Sequence, residues 1–132
     1  MKLITRDTDY AIRALCFISK QNKNIVSVSD LTKKIKIPRP FLRKILQTLT
    51  RKKILKSLKG FGGGFTLNKK PKEIFLIDII KSFQGKIKLN ECNFKKKLCL
   101  NKRTCPLKKK IDELEKHVIT ELNSLTLKFL LN

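Results

Sequence analysis

Four of the five glycines in this chain fall between residues 60 and 64, in the stretch "ILKSLKGFGGGFTLN". An apolar stretch precedes them, a second one alternates around Phe65 and Leu67, and the tip between the two needs backbone angles that glycine adopts freely. The segment therefore reads as a β-hairpin. Glycine-rich loops also cradle nucleotide phosphates, but those lead from a strand into a helix, with Lys-Ser or Lys-Thr following in the P-loop. Here the glycines lead into Phe65, Thr66 and Leu67, so a nucleotide loop is set aside.

Three amphipathic segments precede the hairpin. Tyr10, Ala11, Ala14, Leu15 and Ile18 recur at helical spacing after Thr8 and Asp9, either of which can cap, so a first helix is expected to run to about Lys20. Cys16, inside it, reads as a small core hydrophobe. A short extended piece and an N-cap at Ser27 or Ser29 lead into a second helix with Leu31 and Ile35. It ends before Pro38, because the residue preceding a proline disfavours the helical region. Pro38 and Pro40 suit the opening of a third helix, expected to bury Phe41, Leu42, Ile45, Leu46 and Leu49 and to leave Arg39, Arg43, Lys44 and Gln47 on other faces. Two short helices joined by a tight turn, the second basic, make a helix-turn-helix. With the hairpin behind them, the order is that of a winged helix-turn-helix.

Beyond the hairpin, "KEIFLIDIIKSFQG" reads as a fourth helix packing Ile74, Ile77, Ile80 and Phe83 against the domain. Leu107, Ile111, Leu114, Val118, Leu122, Leu125 and Phe129 then follow at spacings of four and three, the stripe of a helix that packs along its whole length. A helix of about 26 residues would run roughly 39 Å, longer than the preceding domain is wide, so the stripe is expected to pack on a second copy of the chain. The expected fold class is mainly α with a small β-hairpin wing. It divides into a winged helix-turn-helix domain over 1–85, a cysteine loop over 86–106 and a dimerisation helix over 107–132.

Charge narrows the partner. The chain of 132 residues carries a formal net charge of +22, more than solubility requires. From Leu31 to Lys72 there is no Asp or Glu, while Lys and Arg recur throughout. Such a block implies a polyanion, nucleic acid before membrane, because neutralising phosphates releases their counterions and supplies sequence-independent affinity. The opening "MKLITRDTDYAIRAL" has no apolar signal core, and no run reaches the roughly 20 apolar residues of a membrane span. The expectation is a cytoplasmic protein with no membrane contact, in which thiols stay reduced.

That expectation bears on Cys92, Cys99 and Cys105, spaced C-x6-C-x5-C and followed by Pro106 among many lysines. Structural zinc sites favour a tight C-x2-C pair and a fourth Cys or His nearby, whereas the only histidine, His117, lies twelve residues further on. Three thiolates with one ligand from elsewhere suit a soft metal or an iron-sulphur cluster, whose negative charge the lysines would offset. With one histidine and no acid/base or nucleophile constellation, the chain is not read as an enzyme, has no candidate catalytic residue and calls for no small-molecule substrate.

These features together resemble the Rrf2 family of winged-helix transcriptional regulators, with its IscR-like and NsrR-like iron-sulphur sensors. The resemblance rests on the "MKLITRDTDYAIRAL" opening, on "PRPFLRKILQTLTRKKILKSLKGFGGGFTL", on the three-cysteine loop and on the long terminal helix. It implies a homodimer in which Cys92, Cys99 and Cys105 hold a 2Fe-2S or 4Fe-4S cluster near the partner's first helix. IscR-like proteins place a histidine shortly after the third cysteine, where this chain has Lys108. NsrR-like proteins use an aspartate in the opening segment of the other subunit, which Asp9 matches, with Asp7 its nearest rival and helix capping its ordinary alternative.

The implied function is a regulator that binds a double-stranded DNA operator with two recognition helices in successive major grooves. Arg39, Arg43, Lys44 and Gln47 are the expected readers, with Arg43 the candidate for bidentate guanine contact. Lys56, Lys59 and the wing tip at Gly62, Gly63 and Gly64 are expected along the backbone or minor groove. Gain, loss or reaction of the cluster would reset DNA affinity. The competing readings are a zinc-stabilised or a metal-free thiol-redox winged-helix DNA-binding protein.

Overall fold

The computed structural model describes residues 2–21, 25–89 and 105–131. Its first helix, α1 (Arg6–Lys20), lies in the middle of the domain. It touches α2 (Val28–Ile35), α3 (Arg39–Arg51), α4 (Leu76–Gln84), α6 (Leu127–Leu131) and the second strand of the wing. Ala11, Ala14, Leu15 and Ile18 are its buried stripe, and the two alanines let the neighbouring helices come close. Thr5 takes the N-cap position, so α1 starts two to three residues before the expected cap at Thr8 or Asp9. Thr8 instead lies fully buried in the first turn.

Helix α2 opens on Ser27, whose hydroxyl accepts from the Asp30 N–H at 3.1 Å while the Asp30 carboxylate accepts from the Ser27 N–H at 3.3 Å. This reciprocal cap satisfies two of the helix's orphan donors. The helix ends at Lys36 in the left-handed region, φ +53, and Ile37 enters the core before Pro38 starts α3. In α3, Leu42, Ile45, Leu46 and Leu49 are buried, each stabilising the fold by about 1.5–3 kcal/mol. Phe41 departs from expectation. It is 42% exposed, and the Arg6 guanidinium sits 5.2 Å from its ring centre, so it serves a cation–π contact at the surface rather than the core.

The wing pairs β1 (Leu55–Leu58) with β2 (Gly64–Leu67) in antiparallel register, Leu55 opposite Leu67 and Leu58 opposite Gly64. Val26 adds a third rung, its N–H donating to the Phe65 carbonyl at 2.9 Å and its carbonyl accepting from the Phe65 N–H at 2.8 Å. That close approach explains Gly64: a Cβ there would run into the Val26 carbonyl. At the tip, Gly62 has φ +77, a conformation other residues resist.

A single 3-10 turn (Pro71–Glu73) leads to α4, which begins at Leu76, so Ile74 packs from just outside the helix. The terminal stripe does not form one helix to the end. Helix α5 (Pro106–Ser124) stops at Leu125, the chain makes a bridge between Thr126 and Phe75, and α6 follows. Two hydrogen bonds fix this break, from the Leu76 N–H to the Leu125 carbonyl at 3.0 Å and from the Leu127 N–H to the Ile74 carbonyl at 2.8 Å. The reason is burial: the turn brings Leu127 to full burial in the domain's core, which a straight helix would have carried away from it. Leu122, Val118 and Ile119 pack on Ile77 and Ile80 of α4, whereas Leu107 and Leu114, nearer the start of α5, are 67% and 48% exposed.

Candidate DNA-binding surface and cysteine site

The acid-free block from Leu31 to Lys72 forms a surface. Every one of its lysines and arginines, from Lys33 to Lys72, is exposed. The acids at its two ends are occupied with backbone, Asp30 on the Ser27 N–H and Glu73 on the Lys70 N–H at 3.3 Å. From Leu31 to Lys72 every charged side chain is basic, and although Asp30 of α2 and Asp7 lie next to this block, its excess of cations makes a field that attracts phosphate.

Within it, Arg39, Arg43 and Gln47 are exposed and spaced by four, so they share a stripe along α3 distinct from its buried face of Leu42, Ile45, Leu46 and Leu49. Lys44 is exposed but stands on a different line, with Thr48 and Arg51, beside a cleft that Asp7, Phe41 and Phe83 complete. Lys56 and Lys59 are exposed on the wing, with Gly62 exposed and Gly63 and Gly64 partly covered. The expected residues are thus all exposed or partly covered: Arg39, Arg43 and Gln47 share one stripe of α3, Lys44 stands apart from it, and Lys56, Lys59 and the glycines belong to the wing.

Of the metal candidates, Cys92 and Cys99 lie outside the described residues. Cys105 occupies the N-cap of α5, half-buried and without a disulfide partner. Among the described residues no three His, Cys, Asp or Glu side chains come together. Asp9 sits in the first turn of α1, its carboxylate 3.0 Å from the Arg13 guanidinium in a half-exposed pair. Such an exposed pair contributes little to stability. Asp7 is exposed, and His117 is an exposed residue of α5. Cys16 packs against the core, and burial raises its thiol above the ordinary value of 9.0, with Lys20 pulling weakly the other way.

One residue that sequence reasoning missed ties these parts together. The Gln84 side chain, at the last turn of α4, accepts from the Thr5 N–H at 2.9 Å and from the Thr8 hydroxyl at 2.6 Å. Its amide nitrogen donates to the carbonyls of Lys2 and Leu3 at 3.3 and 3.2 Å. The helix that leads into the cysteine segment is thereby fastened to the chain's opening turn, where Asp9 stands. No local signal could have found this contact, because its partners lie 76 to 82 residues away in sequence.

Comparison with known proteins agrees with this geometry. Residues 4–132 match the Rrf2 family, described as an iron-dependent transcriptional regulator. Over 129 residues the chain is 30% identical to the HTH-type transcriptional regulator NsrR of Bacillus licheniformis, covering 96% of this chain and 90% of that protein. Its fold is similar to CymR, the global cysteine regulator of B. subtilis, with a TM-score of 0.81 at 22% identity over 99% of this chain and 97% of the other. It is similar also to IscR of T. potens, with a TM-score of 0.76 at 21% identity over 99% and 86%.

Proposed function

The chain belongs to the Rrf2 family of iron-dependent transcriptional regulators, and from that premise we propose that it is a homodimeric, sequence-specific DNA-binding regulator whose operator affinity is set by an iron-sulphur cluster. It is a winged-helix transcriptional regulator and not an enzyme. The observation that carries the DNA reading is the exposed Arg39, Arg43 and Gln47 stripe on α3, followed by a braced wing, within a stretch from Leu31 to Lys72 that contains no acidic residue. In this reading α3 enters the major groove, where Arg43 reads a guanine edge, and Lys56, Lys59 and the Gly62 to Gly64 tip lie along the backbone or minor groove. A two-fold dimer would place two such helices about 34–36 Å apart on a roughly palindromic operator.

The donors in hand fit a cluster. Cys105 stands half-buried at the N-cap of α5 with its thiol free, and Cys92 and Cys99 supply two more sulphurs close in sequence. Asp9, paired among the described residues with the exposed Arg13, is the proposed fourth ligand, given to the partner subunit's cysteines. When bound, the cluster would supply redox and nitric-oxide chemistry at its iron, with the cysteine sulphurs as the ligands that hold it. The chain's own residues then carry the signal: the cysteine segment leaves α4 next to Gln84, Gln84 holds the opening turn of α1, and α1 packs on α3.

A metal-free thiol-redox regulator is the second reading, favoured by the similarity of the fold to the global cysteine regulator CymR. Anaerobic purification with a visible spectrum and iron and sulphide assays, on wild type and Asp9→Ala, separates the two. A brown wild type whose cluster is less stable in Asp9→Ala, and whose operator affinity changes on cluster loss at constant salt, is the expected result. A colourless protein without iron or sulphide after reconstitution overturns the cluster and leaves the thiol reading.

A further inference from the structure

Phe61 is the most exposed large apolar side chain among the described residues, 112% relative to its reference, at the outermost point of the wing. Nothing in folding accounts for it. The two strands end at Leu58 and Gly64, and the tip closes with the Gly63 N–H donating to the Gly60 carbonyl at 3.0 Å. Phe61 is then the first corner residue of a four-residue turn and Gly62, at φ +77, the second, the pattern of a type II turn. Such a turn points its first corner side chain outward. The strand behind it is braced by the Val26 to Phe65 pair and cannot swing freely. An aromatic ring is therefore held out on a rigid arm whose neighbours Lys56 and Lys59 are exposed cations.

We infer that Phe61 is an apolar wedge for the minor groove, entering a deformable base step and partly unstacking it, while Lys56 and Lys59 hold the flanking phosphates. This rests on the DNA-binding reading above and adds to it a specificity determinant. The ring matches the chemistry of the step: side chains that enter between bases from the minor groove are apolar, and the kink they cause is easiest at pyrimidine–purine steps. Basic neighbours commit the wing to a polyanion rather than to an apolar protein surface. The wedge would thus select for flexible steps at operator positions that no side chain reads by hydrogen bonding.

The test uses the full-length protein and a duplex recovered from a random library by wild type at low salt, carrying 2-aminopurine at successive steps under the wing. Wild type is expected to raise 2-aminopurine fluorescence at one step and to bend the duplex in a phasing assay. Phe61→Ala, which removes a side chain that packs on nothing, is expected to lose both signals and to bind about tenfold more weakly, with an unchanged slope of log affinity against log salt. Lys59→Ala is expected to do the reverse, keeping the fluorescence signal and lowering the salt slope by about one. If Phe61→Ala binds, bends and unstacks as wild type does, the wedge is overturned and DNA binding stands. If wild type retains no duplex even at low salt, the DNA-binding reading fails and the wedge with it.

Discussion

At Gln84 one amide uses both its acceptor and its donor ends to join segments about eighty residues apart, and Thr8 spends its only hydroxyl proton on it. Gln84→Leu is expected to lower unfolding free energy by about 1–3 kcal/mol, because the Thr5 N–H loses its acceptor and the buried Thr8 hydroxyl loses the shorter of its two hydrogen bonds and keeps only the Thr5 hydroxyl at 3.1 Å. Adding Thr8→Val should cost less than the sum of the two single changes, since neither polar group is then left without the other. Urea midpoints of the four proteins measure this coupling. Cys16 gives a pH dependence. Burial holds its pKa above 9.0 in the folded chain, so the folded state keeps the proton more tightly than the unfolded one. Its contribution to stability is complete below the unfolded value and declines as pH rises through the folded one. Cys16→Val is expected to flatten the alkaline limb of a stability-against-pH curve, measured in urea from about pH 8 to about pH 10.5.

Among the elements, the proposed DNA complex divides the work between α3 and the wing by chemistry. An arginine that meets a guanine edge discriminates, whereas a lysine against phosphate only attracts. Arg43→Ala is expected to weaken operator binding by about 1–3 kcal/mol and to relax the preference at one base position, which selection from a random library would reveal. The C-terminal elements carry a different load. Leu127, fully buried, follows a break in the helix that two backbone hydrogen bonds fix. Leu127→Ala is expected to destabilise the domain by about 2–5 kcal/mol in thermal or urea unfolding, the usual cost of truncating a buried leucine. A residue in a free-standing dimerisation helix would instead show its effect as a dependence on protein concentration.

For the whole molecule, the proposed dimer rests on the forward part of α5, where Leu107 and Leu114 stand exposed while Leu122 packs on its own domain. At 19 residues α5 extends about 28 Å, enough for a second copy to run alongside. Leu114→Glu places a charge in that seam and is expected to yield a folded monomer in analytical ultracentrifugation. Such a monomer should bind a half-site with low affinity and lose cooperative binding to the full operator.

The glycine-tipped hairpin, the basic third helix and the acid-free block were legible in the chain because each follows from local chemistry: backbone freedom, helical spacing of apolar residues, and the sign of side-chain charge. The resemblance to the Rrf2 family was legible because those local signals occur together in order. Long-range packing decided the rest. Phe41 has the apolar character of a core residue, but its place on α3 faces Arg6 and solvent. The spacing from Leu107 to Phe129 continues unbroken through Thr126, yet the helix stops there because turning back buries Leu127, and periodicity cannot distinguish one helix from two that keep step. Thr8 signalled a cap and became the buried partner of Gln84, since only folding brings the end of α4 to the first turn of α1.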